Sequence, residues 1–189
     1  MIRSLLVLAA PVALVACGDN NQGPLSYTDP ATCNAICLVR SGTPTSESVT
    51  LAFVVGDQPL TGYSTGFDLP IDASKVQLGE FTPGATLPAG ASPAAAAASI
   101  VTTGPLAGNL VVAQSQKASG AGAVTTDAVL PAHTVLFTFR LDLATTRDGI
   151  VFDGTTADFH LPSGGLRNRV GMTVVTPDQV SIGKLEVKH

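Results

Sequence analysis

Ten residues, Thr134 to Leu143 (TVLFTFRLDL), restrict the possible folds of this chain more than any other segment. Val135, Phe137, Phe139, Leu141 and Leu143 occupy every second position, with Leu136, Thr138, Arg140 and Asp142 between them. A period of two sends alternate side chains to opposite faces of a β-strand, whereas a helix would scatter them around its axis. The pattern predicts a strand with one face in a core. It places Arg140 and Asp142 on the solvent face.

Other segments repeat the pattern at shorter length. Val49–Val55 places Val49, Leu51, Phe53 and Val55 on one side, and Gly56-Asp57-Gln58-Pro59 then reads as a turn. Leu60 to Leu69 reads as a second strand, with Tyr63, Thr65, Phe67 and Leu69 sharing a face, and Val76 to Phe81 as a third. Further strands are expected at Ser99–Thr103, Asn109–Gln116, Gly149–Phe152, Ala157–Leu161, Gly171–Val175 and Val180–Val187. The Ala-rich stretch Pro88–Ser99 is expected to be a surface loop, because Gly90 and Pro93 limit a helix. With 19 Gly and 13 Pro supplying turns, short strands at close spacing predict an all-β chain, an antiparallel β-sandwich over residues 48–189.

The N-terminus carries a different signal. A positive start at Arg3 precedes an apolar run from Ser4 to Ala16, too short to span a bilayer, which takes about 20 residues. It suits the core of a signal peptide over residues 1–16. The run ends Leu14-Val15-Ala16-Cys17, which resembles the bacterial lipobox. That resemblance implies cleavage before Cys17 and acylation of its thiol by diacylglycerol and palmitate-type chains. It implies a lipoprotein of the cell envelope, anchored to a membrane by lipid. Gly18, where Asp would favour inner-membrane retention, leans toward the outer membrane in a Gram-negative host.

Residues 17–47 are rich in Asn, Gly, Pro, Ser and Thr and read as a flexible tether, with a helical turn conceivable over Thr32–Val39. With Cys17 given to lipid, Cys33 and Cys37 are left as a pair. An oxidising compartment would let them form a structural disulfide. A metal site would need further Cys or His ligands close by, and the thiol redox motif has two intervening residues where this pair has three.

Gly66-Phe67-Asp68-Leu69-Pro70-Ile71-Asp72-Ala73-Ser74-Lys75-Val76-Gln77-Leu78 resembles the early motif of cohesin-like domains. Leu136 to Leu143 is similar to that family's long central strand, and Gly149-Ile150-Val151-Phe152 fits the stretch after it. The resemblance covers roughly residues 48–187. It departs at the Ala-rich insertion 89–99 and at Ile71, where the family usually has Tyr. It implies a sandwich of jelly-roll type and a protein partner, dockerin in that family, although no partner-facing residues can be matched. Related sandwiches are carbohydrate-binding modules, which makes a polysaccharide ligand the alternative.

Charge excludes one class of partner. After loss of Arg3 with the leader, nine basic side chains face fourteen acidic ones, a balance of −5. No basic run exists to bind nucleic acid. Catalytic signals are sparse. Gly62-Tyr63-Ser64-Thr65-Gly66 matches the Gly-x-Ser-x-Gly letters of a serine elbow but lacks the strand-to-helix setting, so a hydrolase using Ser64 is a second alternative. His133, His160 and His189 are scattered, and Asp158 with His160 reads as a surface pair. The chain is expected not to be an enzyme. Asp148, Asp153 and Asp158 recur every five residues, which suits either a calcium loop or Asp-Gly turns; no other cofactor is implied. The chain has no Trp, and Tyr27 and Tyr63 are its only tyrosines, which weakens a sugar-stacking platform.

Overall fold

The computed structural model describes residues 25–87, 96–116, 120, 122–145 and 147–188. The leader, Cys17, residues 88–95 of the Ala-rich stretch and His189 lie outside these. The described residues form fifteen strands: β1 (Leu25–Thr28), β2 (Ile36–Arg40), β3 (Ser48–Val55), β4 (Leu60–Gly62), β5 (Ser64–Pro70), β6 (Val76–Pro83), β7 (Ala96–Val101) and β8 (Asn109–Ser115). There follow β9 (Ala128–Leu130), β10 (Val135–Leu143), β11 (Gly149–Asp153), β12 (Ser163–Arg167), β13 (Thr173–Val175), β14 (Val180–Ser181) and β15 (Lys184–Val187).

Two five-stranded sheets make the sandwich, ordered β14-β2-β3-β10-β6 and β13-β12-β5-β8-β7. A three-stranded sheet, β1-β15-β11, and the pair β4-β9 complete it. Pairing is antiparallel except between β14 and β2. The expected all-β antiparallel sandwich is what the chain adopts.

The core lies between the two large sheets. Phe53 on β3 stacks on Phe67 of the facing β5, with ring centroids 4.1 Å apart and planes 3° apart. Phe137 and Phe139 of β10 tilt against Phe53 from the side. Leu51, Leu69, Leu110, Val112 and Leu141 close around them, all fully buried. Burial of side chains this size drives the sheets together, at about 1.5–3 kcal/mol each. The predicted inward faces Val49-Leu51-Phe53-Val55 and Tyr63-Thr65-Phe67-Leu69 are both buried.

Several expectations are corrected. The tether does not run to residue 47, and the domain does not start at residue 48. β1 and β2 are integral strands, with Leu25, Tyr27, Ile36 and Leu38 buried in the core. The Tyr27 hydroxyl donates to the Leu38 carbonyl at 2.7 Å and accepts the Gly183 N–H at 3.0 Å. β1 offers only two apolar residues at period two, and β2 is a run of four apolar residues without alternation, so neither reads as a half-buried strand. In place of the helical turn at 32–39, β2 pairs with β3.

At the start of β10 the register shifts between Val135 and Phe137, so Leu136 turns inward and Val135 is 41% exposed. A bulge inserts one residue and reverses the alternation before it, which no period-two reading anticipates. The second strand splits at Tyr63, and the last at Ile182-Gly183. The Ala-rich loop ends early, because Ala96–Ser99 joins β7.

Residues 157–161 are not a strand. Asp153 accepts the Thr155 N–H at 3.0 Å and turns the chain just before them. The strand comes later, as β12, through two glycines. Gly164 and Gly165 have φ of +143° and +124°, and a Cβ on Gly165 would overlap the Val175 carbonyl of neighbouring β13. Only glycine allows β13 this close.

Candidate functional site

The outward face of β12-β5-β8-β7 carries mostly small side chains. Alternation turns Phe67 and Leu69 of β5 into the core and leaves Ser64, Gly66 and Asp68 facing out. On β8 the outward residues are Val111, Ala113 and Ser115. Register then aligns Gly165, Gly66, Ala113 and Ala97 in one row across four strands. Arg167, Ser64 and Ser115 form the next row, and Ser163, Asp68, Val111 and Ser99 the one beyond.

A row of Gly and Ala lowers the surface to the level of the sheet backbone. The result is an open depression of about 370 Å³, with Gly66, Ala97 and Ala113 in its floor and Ser64, Ser115 and Arg167 at its rim. A face this flat suits another protein surface better than a small molecule, which needs enclosure to bury most of its area. Arg167 and Asp68 supply charges of opposite sign on this face, in the rows either side of the Gly/Ala row.

The depression contains Ser64 but no means of activating it. Among the described residues no histidine, aspartate or glutamate lines it. A serine nucleophile requires a base within hydrogen-bond reach. His133 lies elsewhere, its Nε2 3.8 Å from Asp57 Oδ1, both side chains largely exposed. His160 lines a separate depression with Phe159, Leu161, Pro177, Asp178, Val180 and Ile182. Asp158 and His160 do not share a strand face, since residues 157–161 form no strand.

The structure does not gather Asp148, Asp153 and Asp158 into a cation site. Among the described residues no three His, Cys, Asp or Glu side chains are placed to hold a metal. Asp153 instead caps a turn. The Thr155 hydroxyl and N–H donate to its carboxylate and hold its pKa below the usual carboxylate range. Cys33 and Cys37 are joined as a disulfide with Cα atoms 5.3 Å apart, at the entry to β2. Arg140 and Asp142 sit on the outer face of β10, as read, paired at 2.8 Å.

One polar group inside the sandwich went unread. Gln114 follows the inward alternation of β8 and is 2% exposed, and neither amide atom has a hydrogen-bond partner. Its neighbours Thr65 and Gln116 are satisfied, by the Gly165 carbonyl and by the Gly62 and Thr126 carbonyls. The sequence signal was a lone Gln at an inward position of a strand.

The chain matches no protein-family model and no curated protein. Among solved structures it is similar to the solution structure of CaCohA2 from Clostridium acetobutylicum. The TM-score is 0.46 and the identity 12%, over 81% of this chain and 88% of that one.

Proposed function

We propose that this chain is a non-catalytic binding module, held to a membrane of the cell envelope by lipid on Cys17. Its partner is a protein that docks on the bare face of β12-β5-β8-β7. The observation that carries the docking reading is the aligned row Gly66-Ala113-Ala97, which leaves a sheet surface accessible to a large, flat ligand. The Leu14-Val15-Ala16-Cys17 motif supports the anchor, and Gly18 favours the outer membrane in a Gram-negative host.

Both tyrosines are buried, at 6% exposure each, and the chain lacks Trp. A polysaccharide ligand would then lack its usual stacking surface, which favours the protein partner. A titration of the soluble domain against a panel of dockerin-type modules tests the docking. Binding that is abolished by Ala113→Arg, in a variant with an unchanged circular dichroism spectrum, is the expected result. Binding that survives Ala113→Arg moves the site off this face. The anchor is tested by labelling cells with radioactive palmitate, where the Cys17→Ser protein should take up none.

A further inference from the structure

We infer that the docking site continues from the sheet face over one end of the sandwich, onto the β12–β13 hairpin and β9, and takes a protein surface that is both apolar and acidic. This rests on the docking reading given to the face of β12-β5-β8-β7 and names what that partner carries. The floor of the depression offers only Gly66, Ala97 and Ala113. Interface affinity comes mostly from a few large side chains, with Met and Arg enriched and Ala and Ser depleted. A floor of Gly and Ala shapes the contact and leaves the anchors to its surroundings.

Exposed apolar side chains gather at one end. Among the described residues Val129, Val135, Val170, Met172 and Val174 lie there, and only Leu106 and Ile150 at the other. Register defines the end. Arg167, the last residue of β12, pairs with Ser64, the first of β5, and Val135, the first of β10, pairs with Val54 near the close of β3. The Arg169 N–H donates to Asp127 at 2.6 Å and ties the hairpin to β9, whose Val129 is 67% exposed. Leu106 and Ile150 belong to the opposite end, just past β5, where the Ile71 and Asp72 N–H groups donate to the Gly108 and Val151 carbonyls.

The hairpin is preformed. The Asn168 N–H donates to the Met172 carbonyl and the Met172 N–H to Asn168 Oδ1, both at 2.9 Å, and Gly171 turns the chain at φ +83°. This geometry asks for Asn168 and Gly171 and sets no apolar requirement at the corner between them. Val170 nevertheless stands there 74% exposed, followed by Met172 at 65%. A tip already held in one conformation loses little entropy when a partner covers it.

Arg167 joins the two areas. It stands at the rim of the depression, and its Nη1 donates to the Gly171 carbonyl at 3.3 Å, so the guanidinium reaches the hairpin tip. Among the described residues neither Arg167 nor Arg169 forms an ion pair. No Asp or Glu occurs between Asp158 and Asp178. A partner carboxylate set beside an apolar side chain meets both the cations and the valine and methionine.

A random-peptide phage library selected on the immobilised full-length chain tests this. Recovered peptides should combine Asp or Glu with Leu, Ile, Phe or Met. Titrated as free peptides, they should bind Val170→Ser with Met172→Ser, and separately Arg167→Glu, about tenfold or more weakly. Lys in place of the peptide's acid should restore binding to Arg167→Glu, a rescue that a merely misfolded variant would not show. Peptides lost with Ala113→Arg but indifferent to the hairpin variants overturn the extension and leave the docking face standing. Peptides sensitive to the hairpin variants but indifferent to Ala113→Arg overturn the docking face and its continuity with the tip. A library that yields no binder, or only basic peptides, overturns the partner chemistry. Flotation of Cys17→Ser protein with phosphatidylcholine vesicles, lost on Val170→Ser, assigns the tip to lipid and overturns the protein partner there.

Discussion

Gln114 shows the weakness of reading a strand by polarity. Its inward position follows from alternation with Leu110 and Val112, yet a glutamine argues against a core place. Two buried amide atoms without partners cost roughly 1–3 kcal/mol. Gln114→Leu removes both and keeps most of the volume. It should raise the midpoint of thermal unfolding, by about 1 kcal/mol of stability in calorimetry. The acidic residues were harder still. Asp148, Asp153 and Asp158 look alike in sequence, but a five-residue spacing does not say which carboxylates converge, and these do not.

The elements were legible in proportion to their length. β3, β5 and β10 run seven to nine residues, enough for the period of two to be read against noise, and their inward faces came out correctly apart from the bulge at Val135. β1 was missed because it is four residues long, β2 because its apolar run Ile36-Cys37-Leu38-Val39 shows no alternation, and β12 because three of its five residues are glycine or serine. The bare face depended on register between four strands, information that no single strand contains. The consequence of the missed strands is testable by truncation. A chain beginning at residue 25 should fold. A chain beginning at residue 48 loses β1 and β2, uncovers Leu51, Val55 and Leu185, and should show no cooperative melting by circular dichroism. Within that region Cys33 and Cys37 close a five-residue loop. Reduction, or Cys33→Ser with Cys37→Ser, should cost about 2 kcal/mol in urea unfolding while the domain stays folded.

At the scale of the molecule, ionisation should link stability to pH in one direction. Hydrogen bonds from Ser74 hold the Asp72 pKa down, those from Thr155 lower Asp153, and Lys188 with Lys184 lowers Glu186. Each carboxylate is ionised more readily in the fold than in the unfolded chain. Their stabilisation is therefore present at neutral pH and lost as pH falls through the folded-state values, which lie below the ordinary carboxylate range. Melting temperature should be flat from pH 7 to about 5 and drop below that, with salt softening the change because these groups are only partly buried. The pairing of β1 with β15 bears on how the domain withstands load. Were the proposed lipid at Cys17 to take load, force would enter the fold at Leu25, and a pull directed along β1 would stress its whole ladder with β15, Leu25–Val187 to Thr28–Lys184, at once. Tension applied between the two ends of the chain meets Leu25 and Val187 side by side and peels the ladder one pair at a time. The β1–β15 ladder should thus resist shear along β1 better than peeling from its Leu25–Val187 end.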